Sequence, residues 1–185
     1  LGGQRKCEGF EVYECNSDST GWTLIESCMG ECFEGICLDP CGLDQDKLSY
    51  LGCTFWAVPL QNHAQSAQED FAITISSHGN LPIDIGVTTA AGDEVETATI
   101  QPRALLTLPL QSLSQISGTG ITQQSYRINT TGKVTVHQFN PVHEIDIHSS
   151  DASLLLPLGA LGRAYRAIAW PTELYYIGMT TPCAL

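Results

Sequence analysis

From about residue 48 onward, apolar and polar positions alternate in short runs with a period of two. Phe71-Ala72-Ile73-Thr74-Ile75-Ser76 alternates until Ser77-His78-Gly79-Asn80 breaks it; Ile83 to Thr88 alternates again until Ala91-Gly92-Asp93. Glu94 to Ile100, Leu105 to Leu110, Ser125 to Asn129, Lys133 to Phe139 and Tyr165 to Trp170 continue the series. Successive side chains of a strand point to opposite faces, so each run presents one apolar face to a core. Turn signals recur at roughly 8–12-residue spacing without a sustained helical stripe, which predicts a mainly β domain, an antiparallel sandwich or barrel. Gln111 to Gln115 reads as one helical turn, and Ser153 to Leu161 as a buried loop or short strand. Asn129-Thr130-Thr131 fits a glycosylation acceptor and reads as a surface turn between two strands.

The first 41 residues have a different texture. No alternation lasts, although Glu11 to Glu14 and Trp22 to Ile25 read as short strands of a ribbon. Gly2, Gly3, Gly9, Gly21, Gly30 and Gly35 punctuate the segment. Six of the eight cysteines fall here, Cys7, Cys15, Cys28, Cys32, Cys37 and Cys41, with Cys53 and Cys183 beyond. So short a segment cannot bury enough apolar surface alone, and dense cysteines in an acidic stretch point to disulfides made in an oxidising compartment. All eight are expected to be bridged. Eight cysteines allow 105 pairings and sequence does not choose among them. A zinc site is the competing reading of the Cys28/Cys32 and Cys37/Cys41 spacings, but the tight two-residue knuckle is missing. The expected division is a disulfide-rich module over 1–41, packed closely on a β-sandwich-like domain over 42–185. A start at Leu1 is read as a signal peptide already removed.

Charge narrows the partners. The net charge is −12, from 20 acidic against 8 basic residues, without a basic stripe, which disfavours nucleic acid and anionic lipid. No run reaches the ~18 apolar residues of a spanning helix, so membrane insertion is not expected. A serine hydrolase needs an activated serine beside a histidine; the nucleophile-elbow motif is missing, and Ser77-His78 reads as a turn. Asp93 with Glu94 reads as solvated surface rather than a glycosidase pair. His137, His143, Asp146, His148 and Asp151 crowd one stretch, and strand alternation puts Asp146 and His148 on one face as a weak metal pair. The plainer reading is a solvated loop, with Asp151 capping the turn before Leu154-Leu155-Leu156. No cofactor is expected; calcium held by distant loops is left open, since Asp44-x-Asp46 lacks the rest of a helix-loop-helix site and Asp18 stands in a turn without obvious partners. Phe55 and Trp56, adjacent on a strand, must face opposite sides, which assigns Trp56 to an interface with the cysteine-rich module or another molecule. Trp170, before Pro171, is expected to fill the core.

Several patches occur together in order: Tyr50-Leu51-Gly52-Cys53-Thr54-Phe55-Trp56-Ala57-Val58, Tyr126-Arg127-Ile128, Gln138-Phe139-Asn140-Pro141, Asp151 to Pro157, Leu161-Gly162 and Ala169-Trp170-Pro171. Over roughly residues 41–171 this resembles the IgGFc-binding protein N-terminal domain family of bacterial secreted proteins. The resemblance implies an extracellular, β-rich, non-catalytic module. Domains of that family continue with further strands, whereas only Thr172 to Leu185 follow here, so a partial sheet is expected. The function expected is a secreted or cell-surface, non-enzymatic structural or adhesive protein, a self-assembling subunit of an extracellular filament or surface layer. The alternative is a monomeric module binding an extracellular protein or glycan, with Trp22 or Tyr175-Tyr176 on its rim.

Overall fold

The structure is a computed structural model that describes residues 3–41, 49–60, 70–111, 113–116, 120–142, 151–162 and 164. The amino-terminal cap holds β1 (Arg5–Glu8), β2 (Glu11–Cys15) and β3 (Trp22–Ser27), an antiparallel sheet in that order, followed by the hairpin β4 (Cys32–Phe33) and β5 (Ile36–Cys37). The body comprises β6 (Gly52–Ala57), β7 (Ala72–Ser77), β8 (Ile83–Thr89), β9 (Glu94–Ile100), β10 (Leu105–Pro109), β11 (Tyr126–Asn140) and β12 (Asp151–Leu154), with a 3-10 turn at Leu158–Ala160. The expected mainly β fold is what forms: a nearly closed antiparallel barrel with a disulfide-rich segment before it.

β11 organises the body. Its fifteen residues alternate inward and outward from Tyr126 to Asn140, and Tyr126, Ile128, Thr130, Val134, Val136, Gln138 and Asn140 are buried. One edge of β11 pairs with β6 and then β12, the other with β8 and then β7. With β9 beside β8 and β10 beside β7, two four-stranded halves share one long strand. A strand passing between two packed halves must bend at the corner. The bend lies in the irregular stretch between Asn129 and Val134, where the β6 register shifts. Thr130 is buried there, its Oγ1 2.8 Å from the Gly132 carbonyl and 3.3 Å from that of Cys53. Space is tight at Gly132, where a Cβ would lie 3.1 Å from Cγ1 of Ile83, so a larger residue would have to displace that side chain.

The surface turn expected at Asn129-Thr130-Thr131 is therefore a bend within one continuous strand. Turn-forming residues are tolerated because the Thr130 hydroxyl finds carbonyl partners inside. Gln111 and Leu113–Gln115 form no helical turn. The short strand expected near Ser153 forms as the end of Asp151–Leu154 at the edge of β11, after which Leu155 packs on the core and Pro157 is buried while Leu154, Leu156, Leu158 and Leu161 are exposed. Tyr165 to Trp170 lie outside the described residues.

Phe55, Ile73, Ile75, Ile83, Ile85, Val87, Ile100, Leu108, Leu110, Tyr126, Ile128, Val134 and Val136 form one core. Phe71 stacks on Tyr126 at 5.8 Å between centroids, and the buried Tyr126 hydroxyl accepts from the Leu113 amide at 2.8 Å. Two inward amides tie down the chain leaving β6: Gln138 Oε1 accepts from the Val58 amide at 3.0 Å, and Asn140 Nδ2 donates to the Leu60 carbonyl at 2.6 Å. The Asn140–Pro141 peptide is cis.

Candidate functional site

Disulfides settle much of the cap. Cys7–Cys32 and Cys28–Cys37 close loops of 25 and 9 residues, and Cys41–Cys53 joins the cap to the body at the corner of β11. The first two lie between the inner face of the cap sheet, where Val12 is buried, and the β4–β5 hairpin. Among the described residues Cys15 has no disulfide partner, its Sγ lying 3.7 Å from the Asn16 carbonyl. Alternation along β2 puts Cys15 with Tyr13 on the outer face, away from the inner face where Cys7 meets Cys32. Cys183 lies outside the described residues.

That outer face is aromatic and charged. Register aligns Lys6 with Tyr13, Tyr13 with Leu24 and Cys15 with Trp22. The Lys6 ammonium stands 4.5 Å from the Trp22 ring centroid and 5.9 Å from that of Tyr13, and it pairs with Glu8. Tyr13 donates its hydroxyl to Glu11; that bond, then burial and the nearby Glu11 and Glu8 charges, raise its pKa. In the β2–β3 loop, Asp18 accepts from the Thr20 amide at 3.1 Å and the Thr20 hydroxyl at 2.8 Å, and these bonds lower its pKa. Asp18 thus has a partner that its sequence did not disclose, within its own turn.

β3 is exposed along its whole length. Trp22, Leu24 and Ile25 are 43, 47 and 46% exposed, and among the described residues no strand pairs with the outer edge of β3. Ile25 is the extra residue of a bulge, since Val12 faces Glu26 and Tyr13 faces Leu24. The body treats its edges differently. β9 carries exposed Glu94 and Glu96, and β10 ends in Pro109, residues that discourage strand addition. Phe33 and Ile36 at the tip of the cap hairpin are also exposed.

Between cap and body lies a cleft of ≈ 540 Å³, walled by Phe10, Met29 and Pro40 on one side and by Leu51, His78 and Leu81 on the other. The cap thus meets the body through a covalent bridge and an open seam. Ser77 and His78 are neighbours in sequence but not partners: Ser77 Oγ is buried without a hydrogen bond, and His78 Nε2 lies 3.2 Å from Thr135 Oγ1. Asp93 binds within its turn, its Oδ2 accepting from Thr89 Oγ1 at 3.3 Å. Among the described residues no three His, Cys, Asp or Glu side chains gather as a metal site, and no helix is long and apolar enough to cross a membrane. His143, Asp146 and His148 fall outside those residues, as do Asp44, Asp46, Trp170 and Tyr175-Tyr176; Asp151 is in β12, paired with Asn140.

Phe55 and Trp56 face opposite sides as their adjacency requires. Phe55 is fully buried; Trp56 is 37% exposed on the outer face of β6, its ring 6.0 Å from the Arg127 guanidinium carbon. Sequence reasoning missed the lysine over the cap aromatics, because the bulge that sets the β3 register cannot be read from residue types. Comparison with protein-family models, with curated proteins and with solved structures returns no match.

Proposed function

We propose that the chain is a secreted, non-enzymatic structural or adhesive protein whose cap associates with a second copy, as in a subunit of an extracellular filament or surface layer. The observation that carries this reading is β3: an open edge bearing Trp22, Leu24 and Ile25, where the β9 and β10 edges of the body carry glutamates and a proline. Exposed apolar strands of this kind are sites of pairing with another chain. Three disulfides fit an oxidising compartment. The resemblance to the IgGFc-binding protein N-terminal domain points the same way, toward an extracellular module without catalysis. Because each copy carries a charge of −12, association is expected to strengthen with salt as long-range repulsion is screened.

Sedimentation velocity over a wide concentration range tests this. Oligomers should form, and Leu24→Lys with Ile25→Lys should weaken them at least about 10-fold. Both residues are exposed, so the unfolding midpoint should hardly move. A wild-type chain that stays monomeric at the highest concentration and salt overturns the proposal.

A further inference from the structure

We propose that the outer face of the β6–β11–β8–β9 half carries a binding trough for a neutral oligosaccharide. The trough is independent of the cap edge and has its own test. Its floor is Gly86 of β8, in register with Asn129 of β11 on one side and Thr97 of β9 on the other. A Cβ built on Gly86 meets nothing within 4 Å, so the missing side chain opens the depression. Asp84, paired with Thr99, and Thr131 extend the walls around a volume of ≈ 540 Å³.

The walls are chemically selective. Thr99 Oγ1 donates to Asp84 Oδ1 at 2.8 Å, the Asp84 amide donates to Thr131 Oγ1 at 3.0 Å, and Thr54 Oγ1 donates to Asn129 Oδ1 at 3.2 Å. One oxygen of the carboxylate and one of the amide are thereby held in place. The second Asp84 oxygen remains an acceptor, and the Asn129 amide retains two donors. A planar acceptor and a planar pair of donors, set among threonine hydroxyls, match neighbouring sugar hydroxyls, each of which both donates and accepts. Trp56 stands one row along β6 from Thr54, diagonal to Asn129 at ~7–8 Å. Its ring, 37% exposed with the Arg127 guanidinium carbon 6.0 Å from its centroid, still offers a flat apolar surface of the kind that packs against the C–H face of a pyranose.

Other ligands fit less well. A divalent cation finds one carboxylate here, few for calcium, which takes about six to eight oxygens, and among the described residues no three acidic or other metal-ligating side chains gather. Phosphate and acidic sugars meet the Asp84 carboxylate in the wall and a chain of charge −12, against the nearby cation Arg127 beside Trp56. An apolar peptide finds no deep hydrophobic pocket between these threonines.

The test is an array of neutral gluco-, manno- and galacto-oligosaccharides beside sialylated and sulfated ones, followed by calorimetry with the best neutral binder. Neutral glycans should be retained. Gly86→Leu, which fills open space, and Trp56→Ala should each weaken binding at least 10-fold, with thermal unfolding of the Gly86→Leu variant unchanged. The Leu24→Lys, Ile25→Lys variant should bind as the wild type does, which separates this site from cap-mediated association. Retention of no neutral glycan, retention of charged glycans alone, or full binding by Gly86→Leu would each overturn the proposal.

Discussion

Cap and body solve the same problem of a short β sheet in opposite ways. The body surrounds a shared core with two halves of a sheet, and its long aliphatic side chains exclude water between them. In the cap, Val12 and Cys28 are the hydrophobic residues buried among those described, and two internal disulfides stand where a core would be. A body held by burial must turn its apolar residues inward. A cap held by sulfur is free to leave Trp22, Leu24, Phe33 and Ile36 in solvent. The contrast teaches that cross-linking releases a surface for contact, because side chains not needed for folding can serve recognition.

The largest expected effect that sharpens this contrast is in the body. Ile128→Ala removes a fully buried side chain from the strand shared by both halves, and should cost about 2–5 kcal/mol in urea unfolding. Amide exchange in β1–β3 should be unaffected; if it accelerates equally, cap and body unfold as one unit and the contrast fails. Next is the paired substitution Cys28→Ser with Cys37→Ser, which opens one cap bridge. It should lower cap stability by about 2–4 kcal/mol, read as roughly 30- to 1,000-fold faster exchange in β1–β3 with β7, β8 and β11 unchanged. Exchange unchanged in the cap would mean that its packing suffices without that bridge.

The smallest effect is acid loosening of the β2–β3 loop. The pKa of Asp18 is lowered below its ordinary 3.8 by the Thr20 bonds, so its contribution is present above that value and is lost as pH falls through the lowered one. Asp18 is exposed, so the change should be local. The Thr20 amide shift in an NMR titration should follow it while the core methyl signals stay in place; a core that moves in the same step would show that the acid transition is global.

Much of the body was legible because its signal is local. Ile73, Ile75, Ile83, Ile85 and Val87 announce their inward faces by alternation alone, and Phe55 with Trp56 could be assigned to opposite sides. The corner of β11 was not legible, since Asn129-Thr130-Thr131-Gly132 has the composition of a turn. What makes it a bend within one strand is its pairing with β6 and β8 on either edge, with a register shift between Asn129 and Val134, and those partners lie far away in sequence. Disulfide partners are likewise chosen by which face of β2 a cysteine occupies, so Cys15 could not be told from its neighbours. Gly86 passed as one more outward position in an alternating run; its meaning depends on Asn129 and Thr97, which arrive from other strands.

The Cys41–Cys53 bridge also defines a route for force. A pull on the amino-terminal end enters the body through sulfur at the start of β6, and the 12-residue span it closes carries no tension. The load falls across the hydrogen bonds between β6 and β11, the best-anchored strand of the barrel. Reducing that bridge would release hidden chain worth about 35 Å of extension, from roughly 3.3–3.6 Å per residue over 12 residues whose ends now stand 5.6 Å apart, before the barrel felt the pull. The bond therefore makes the tether short and stiff, and the redox state of its surroundings sets how far the cap can travel.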